Sequence, residues 1–184
     1  MERRIRLLRT EDVDAVLQVY QRAFAGFPWH ENLSDEEVTV RWNKQSAMSG
    51  FTAIVAEVDS RIAGAHWYDT TSLARLAEER GRDLAGWAEK QIRRFDLNGA
   101  LVWERELLVD PDFQRRGISA ELRRNFLKKL ERAGRKTLVL TRLRTDNIGS
   151  IKTAERFGFK RTGIIQPASQ RPLFHEFWFI KINC

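Results

Sequence analysis

Cysteine is nearly absent from this sequence of 184 residues: there is one, Cys184, at the last position. A single thiol excludes an internal disulfide and a cysteine-based zinc site, and it fits a reducing compartment. Long apolar runs are missing as well. None approaches the roughly 20 residues that cross a bilayer, so a soluble chain with no membrane partner is expected. Met1-Glu2-Arg3-Arg4-Ile5-Arg6 carries no apolar stretch of the signal-peptide kind, and the expected location is the cytoplasm. Internal repeats, low-complexity segments and interdomain linkers are also lacking, and residues 1–184 match one domain of ordinary size.

What is present is a core and a charge. The hydrophobic fraction of 42%, with six Trp and 11 Phe, suffices for a packed interior and is too high for a disordered chain. Lys and Arg number 32 against 25 acids, a net charge of +7 that draws anionic partners from a distance. A phosphorylated cofactor, nucleic acid and an anionic membrane all answer to that charge. No helix-turn-helix, RNP or zinc pattern supports nucleic acid.

Along the chain, Ile5, Leu7 and Leu8 mark a first strand. Thr10 is expected to cap a helix whose apolar stripe is Val13, Val16, Leu17, Tyr20 and Phe24. Ser34 and Glu37 form a capping box for a second helix that buries Val38 and Trp42, with Met48 as a further candidate. Two strands follow, joined by Asp59-Ser60 as a hairpin turn. His66 lies in the second of them, and a lone strand histidine is expected at the surface or hydrogen-bonded. Residues 70–98 are rich in Ala, Leu, Glu and Arg and predict an inserted helical pair parted by Gly81 and closed by Asn98-Gly99. The insert is expected to pack on the domain edge, or to serve as a lid or the surface of a homodimer.

Residues 100–109 form a long strand ending in Leu107-Leu108-Val109. Pro111 sets a turn, and residues 114–119 run straight into a helix with Ile118, Leu122, Phe126 and Leu130 on its buried face. Gly134 stops that helix. The first N–H groups of a helix have no internal partner and the helix dipole favours an anion there, so the loop is an anion site reinforced by Arg115 and Arg116. A strand over residues 137–141 comes next, which implies a parallel βαβ unit. Asn147 then starts a helix expected to turn Ile148, Ile151 and Ala154 inward, and two last strands close the chain.

Two motifs carry a family resemblance. The loop Gln114-Arg115-Arg116-Gly117-Ile118-Ser119 after Leu107-Leu108-Val109-Asp110-Pro111 resembles the Arg/Gln-x-x-Gly-x-Gly/Ala loop of the GCN5-related N-acetyltransferases. Asn147 followed by Ala154-Glu155-Arg156-Phe157-Gly158-Phe159 resembles that family's Asn-x-x-Ala…Tyr-Glu-Lys-x-Gly-Phe segment. The element order is similar to the family's over nearly the whole chain, the insert at residues 70–98 apart. The resemblance implies an α/β (α+β) fold: a mixed, mostly antiparallel central sheet of about seven strands with helices on both faces. It also implies transfer of an acetyl group from acetyl-CoA, used as a co-substrate, to a primary amine by direct attack, with no metal.

By the same resemblance, backbone N–H groups over residues 115–119 hold the CoA pyrophosphate, and Gln114, Arg115, Arg116, Gly117, Ile118 and Ser119 form the loop. Leu108 and Val109 stand where the pantetheine arm pairs like an extra strand, and Asn147 stands where the family contacts the cofactor. Arg123 and Arg124 are expected on a solvated helix face. Glu106 and Glu104, on one face if the strand is regular, are the candidates to take the amine's proton, Glu106 being nearer the expected thioester; a bulge near Leu107, which the family often has, would change the face each one shows. A backbone N–H near Val109 is the candidate donor to the thioester oxygen. Phe27, Trp29, His30 and the loop at residues 166–171 are candidate walls for a small-molecule or peptide amine. Three positions depart from the family pattern: Arg115 where a Gly is usual, Ser119 for Gly/Ala, and Ala154 where a Tyr is thought to protonate the leaving thiolate. The missing Tyr also admits a non-catalytic acyl-CoA sensor, and the Arg and Lys run from Arg115 to Lys136 a nucleic-acid-binding protein.

Overall fold

The computed structural model describes residues 2–97, 100–168 and 173–182. Asn98-Gly99, Pro172, Cys184 and residues 169–171 of the expected acceptor loop at 166–171 lie outside them. Seven strands form one mixed sheet in the order β1-β2-β3-β4-β5-β7-β6. By contacts the chain divides into two compact units, Met1–Asp69 with Arg105–Phe126, and Thr70–Glu104 with Leu127–Cys184. Strand β4 (Leu101–Val109) and helix α5 (Ile118–Arg132) each contribute to both.

In the first unit, β1 (Arg3–Leu7) pairs antiparallel with β2 (Thr52–Val58), and β2 with β3 (Arg61–Thr71). The joining residues Asp59 and Ser60 have φ of 46° and 64°, the doubly left-handed backbone whose twist suits a two-residue hairpin. Helix α1 (Val13–Ala25) buries Val16, Val19, Tyr20 and Phe24, and α2 (Asp35–Ser46) buries Val38 and Trp42. These join Ala53, Val55, Ala65, Trp67 and Leu108 in one core. Its aromatic rings meet in specific geometries: Tyr20 stacks on Phe24 at 4.4 Å between centroids, and Trp42 stands edge-on to Trp67 at 5.3 Å. The capping box of α2 is formed, with Glu37 N–H donating to Ser34 Oγ and Ser34 N–H to Glu37.

Three expectations for this unit are corrected. Thr10 does not cap α1; it opens a 3-10 turn, Thr10–Asp12, and Asp12 immediately precedes the helix. The Asp12 carboxylate accepts from Arg6 at 2.6 and 2.8 Å and from the Arg9 N–H at 2.7 Å, so a charged group on β1 decides where the helix begins. Of the two settings expected for His66, the surface is excluded: the residue is fully buried, its ring edge-on to Phe126 at 4.7 Å. Strand β3 lies inside the sheet and is buried without a break from Ala63 to Asp69, so alternation gives no outward position to a histidine. Arg123 is 2% exposed rather than solvated. Helix α5 buries adjacent pairs, Leu122 with Arg123 and Phe126 with Leu127, which is a wider face than one apolar column.

In the second unit, α3 (Leu73–Arg80) and α4 (Arg82–Arg94) are parted by Gly81 at φ 93°, and Ser72 caps α3 by accepting from Arg75 N–H. Leu76, Leu84, Ala85 and Ala88 of this pair pack on Leu101, Trp103, Leu138, Leu140 and Phe177 of the sheet. Strand β4 runs parallel to β5 (Thr137–Arg144) over Leu101–Trp103. Strand β7 (Phe174–Ile182) pairs antiparallel with both β5 and β6 (Lys160–Pro167). Helix α6 (Ile148–Arg156) buries Ala154 but leaves Ile148 54% exposed, against expectation. Six residues at 3.6 per turn place Ile148 about 120° around the helix from Ala154, outside a single buried stripe.

One close approach in the first unit fixes the end of β4 against its neighbours. A Cβ on Gly64 would stand 2.7 Å from the Leu108 carbonyl, 3.2 Å from Ile118 and 3.4 Å from Leu122. Strand β3, the end of β4 and the start of α5 meet there with no room for a methyl group. Gly64→Ala is expected to destabilise the protein by about 1–3 kcal/mol, the usual cost of overpacking, and to displace the backbone near Leu108. Chemical denaturation measures the loss; an unchanged midpoint would show that the approach is not tight.

Candidate functional site

The segment from Asp110 to Ile118 is built by local chemistry and then pinned. The Asp110 N–H donates to the Ala63 carbonyl at 3.0 Å, which ties the end of β4 to β3. The Asp110 carboxylate accepts from the Asp112 N–H at 2.9 Å, and Pro111–Phe113 forms a 3-10 turn. Phe113 is buried under two guanidiniums, Arg61 and Arg116, at 5.2 and 5.4 Å from its ring centroid. Arg22 of α1 reaches both acids, Asp112 at 2.7 Å and Asp110 at 3.2 Å. Its hydrogen bond and charge hold the Asp112 carboxyl below the usual carboxylate range, with smaller help from Arg61 and Arg116.

Beyond the turn the backbone is left-handed at two positions, Arg115 at φ 60° and Gly117 at φ 81°. Alternation of this kind turns successive N–H groups toward one side, an anion-binding concavity, and the first turn of α5 adds its own donors. Gln114 to Gly117 are exposed, and no atom lies within 4 Å of where a Gly117 side chain would begin. Arg115 and Arg116 supply positive charge, while the carboxylates of Asp110 and Asp112 are offset by Arg22. The donors, the sign of the charge and the open space all fit a pyrophosphate.

The two candidate bases on β4 part company. Glu104 belongs to the second unit and is 2% exposed, whereas Glu106 belongs to the first and is half-buried. The regular alternation expected here breaks over residues 105–107, which are all intermediate in burial. Arg105 is drawn inward by a buried ion pair with Asp69 of β3. Glu106 lies in the neighbourhood of Tyr20: the phenol is raised above its ordinary value, first by burial and then by the Glu106 charge. Arg41 of α2 stands beside the Tyr20 hydroxyl and pairs with Glu31 at 2.7 Å. Tyr20 was legible only as one member of an apolar stripe, and its hydrogen bond with Arg41 and its nearness to the Glu106 charge carried no sequence signal.

The remaining candidates have separate surroundings. Trp29 is half-buried, tilted against Phe24 at 5.0 Å, so it belongs largely to the core. Phe27 is 75% exposed and meets the exposed His30 edge-on at 6.0 Å. Leu108 is buried and Val109 half-buried, both beyond the stretch of β4 that pairs with β5. In the second unit Asn147 caps α6, its side-chain oxygen accepting from the Ser150 N–H at 3.0 Å. Among the described residues, no group of three His, Cys, Asp or Glu is placed to share a metal ion, and no helix is long and apolar enough to cross a membrane.

Comparison with known proteins bears on the fold and the family. Solved structures match over the whole chain at low identity. They include the ribosomal-protein-S18-alanine N-acetyltransferase of Escherichia coli (18% identity, 100% of this chain and 96% of that one, TM-score 0.68). An N-acetyltransferase of Staphylococcus aureus Mu50 matches at 16% identity, 100% of both chains and TM-score 0.70. YncA of Salmonella typhimurium, solved with acetyl-CoA, matches at 17% identity, 100% and 96% coverage and TM-score 0.70. At such identities these likenesses speak to the fold. No curated protein sequence matches the chain. The family model described as Acetyltransferase (GNAT) family matches residues 13–159. Those residues contain the pinned loop, Glu106 and α6, and the chain therefore belongs to the GNAT acetyltransferase family: it is an acetyl-CoA-dependent N-acetyltransferase that acts on an amine acceptor.

Proposed function

We propose that the exposed left-handed loop is the seat of the CoA pyrophosphate and that Glu106 is the proton acceptor for a primary amine of a small molecule or peptide. The observation that carries the first part is the alternation of Arg115 and Gly117 in left-handed backbone at the head of α5. Arg115 keeps, with a side chain, the conformation for which glycine is the usual residue. N–H groups over residues 115–119 hold the phosphates, Gln114 and Arg116 flank them, and Ser119 is small enough to leave the helix start open. The backbone of Leu108 and Val109 lines the path of the pantetheine arm, and the amide of Asn147 serves the cofactor in addition to capping α6.

When bound, acetyl-CoA supplies the thioester carbon that the amine attacks. Glu106 accepts the ammonium proton directly or through a water, which its partial exposure permits and the burial of Glu104 does not. Tyr20, raised by burial and by Glu106, stays protonated and lends the carboxylate a fixed neighbour. A backbone N–H near Val109 donates to the thioester oxygen as charge builds there. Ala154 carries no hydroxyl, so solvent protonates the leaving sulfur, whose reference pKa is about 8.5. Phe27, Trp29 and His30 border the acceptor. The reading takes residues 1–184 as one acetyltransferase domain with α3 and α4 as its insert, working in the cytoplasm; the scarcity of cysteine supports that location.

Saturating acetyl-CoA is expected to raise the melting temperature, by about 2.7 kcal/mol of apparent stability at one hundred times Kd. Gly117→Glu places a carboxylate in the loop and forces a side chain into left-handed backbone. It should abolish that rise in differential scanning fluorimetry while the unliganded protein still unfolds cooperatively. An undiminished rise in the variant would remove the pyrophosphate from this loop.

Glu106→Gln is expected to lower kcat/KM for amine acetylation about 10²- to 10⁴-fold near neutral pH, with acetyl-CoA still stabilising the protein. The variant rate should recover in part at higher pH, where more of the amine is already neutral. Wild-type turnover in Glu106→Gln would assign the proton elsewhere.

A further inference from the structure

Arg61, the first residue of β3, stands beside the turn at Pro111–Phe113 and has no part in seating the pyrophosphate. Its guanidinium lies over the Phe113 ring, 5.2 Å from the centroid, and that of Arg116 lies 5.4 Å from the same centroid. Phe113 is buried, so one fixed ring seats two cations that come from different elements. The Arg61 side chain is nevertheless 62% exposed, and Arg116 is exposed as well. Arg61 also lines a groove of about 510 Å³, together with Ser60, Arg22, Asp110 and Arg9, which leaves room for a ligand group next to it.

Charge around the turn is left positive. Arg22 holds Asp112 at 2.7 Å and Asp110 at 3.2 Å. Arg61 reaches Asp112 only at 3.9 Å, beyond hydrogen-bond distance. Two carboxylates thus face the guanidiniums of Arg22, Arg61, Arg115 and Arg116, and the closest pairs are those of Arg22. Coenzyme A carries a third phosphate besides its pyrophosphate. The pyrophosphate has less charge per phosphorus, and backbone N–H groups suit it. The 3′-phosphate is a monoester with about −1.5 to −2 charges near pH 7, and the forked guanidinium is the side chain that matches such a group. One ribose carries both, so the 3′-phosphate lies a single sugar away from the pyrophosphate. A guanidinium held on the ring that also seats loop residue Arg116 is placed to meet it.

We propose that Arg61, seated with Arg116 on Phe113, binds the 3′-phosphate of coenzyme A and lets the protein tell CoA from its 3′-dephospho form. The Phe113 ring holds both guanidiniums in place before the cofactor arrives, and Arg22 keeps Asp112 from engaging Arg61. The proposal rests on the seating of the pyrophosphate in the loop and adds to it a residue of β3, outside the loop motif.

CoA and 3′-dephospho-CoA are the probes. Isothermal titration calorimetry of the intact protein gives each Kd, and the melting temperature gives an independent reading. Wild type is expected to bind CoA about tenfold or more tightly than the dephospho form, the effect of losing a hydrogen-bonded charge. Arg61→Gln should weaken CoA and leave dephospho-CoA nearly unchanged, so that most of that ratio is lost. Arg61→Lys, which keeps the charge but not the fork, should fall in between. The wild-type ratio should also shrink as sodium chloride rises, because an exposed charge pair is screened. Equal affinity of wild type for the two cofactors overturns the proposal and leaves the pyrophosphate assignment intact. So does a ratio unchanged in Arg61→Gln, or an equal loss of both cofactors, which would tie Arg61 to the pyrophosphate. If neither cofactor binds wild type, the pyrophosphate assignment fails and the proposal with it. Should Arg61→Gln fail to fold, Arg61→Lys decides, and a ratio equal to that of wild type overturns the proposal.

Discussion

The chain must pass from a strand into a helix within a few residues, between Val109 and Ile118, while keeping backbone N–H groups turned outward. The proposed pyrophosphate loop depends on that passage. A non-glycine residue in left-handed backbone costs about 1–2 kcal/mol, and Arg115 bears that cost at φ 60°. The strain persists because both ends are held. Asp110 is tied to Ala63 and bound by Arg22, and Ile118 is buried where Gly64 leaves room for it. A loose loop would relax out of this conformation; one held at both ends keeps its donors arranged before any ligand arrives, which lowers the cost of binding.

Separation of similar groups by environment runs through the same unit. Glu104 and Glu106 are two residues apart, yet one is buried and the other half-buried near Tyr20. The break in alternation at residues 105–107 makes the difference, and the Arg105–Asp69 pair is part of it. A buried pair of this kind is weak evidence for stability, because desolvation offsets attraction, but its directionality fixes which way the strand faces. Positive charge is sorted in the same manner. Arg22 offsets the acids at the turn, and Arg115 and Arg116 remain at the open face.

Features set by neighbouring residues were legible in the sequence. The Ser34 and Glu37 box, the Asp59-Ser60 hairpin, the Gly81 break and the strand-loop-helix around Gly117 each rest on contacts a few residues apart. The family followed from two such motifs and the element order. Features set by distant residues were not legible. Thr10 lost the helix start to Asp12 because Arg6 of another element holds that carboxylate. His66 and Arg123 are buried because β3 and α5 are covered more widely than one stripe. Nothing local marks Arg22 as a partner of Asp112, 90 positions away. Arg61 over Phe113 is of this kind as well, since only the fold brings the start of β3 to the turn.

The central claim is that backbone donors over residues 115–119 hold the cofactor's phosphates. Hydrogen exchange of those amides, followed by mass spectrometry with and without CoA, tests it most directly. The account predicts exposed, fast-exchanging amides in the free protein and slowed exchange at 115–119 on CoA saturation, since each donor then has a partner. Unchanged exchange at those amides, in a sample whose raised melting temperature shows that CoA is bound, would contradict it.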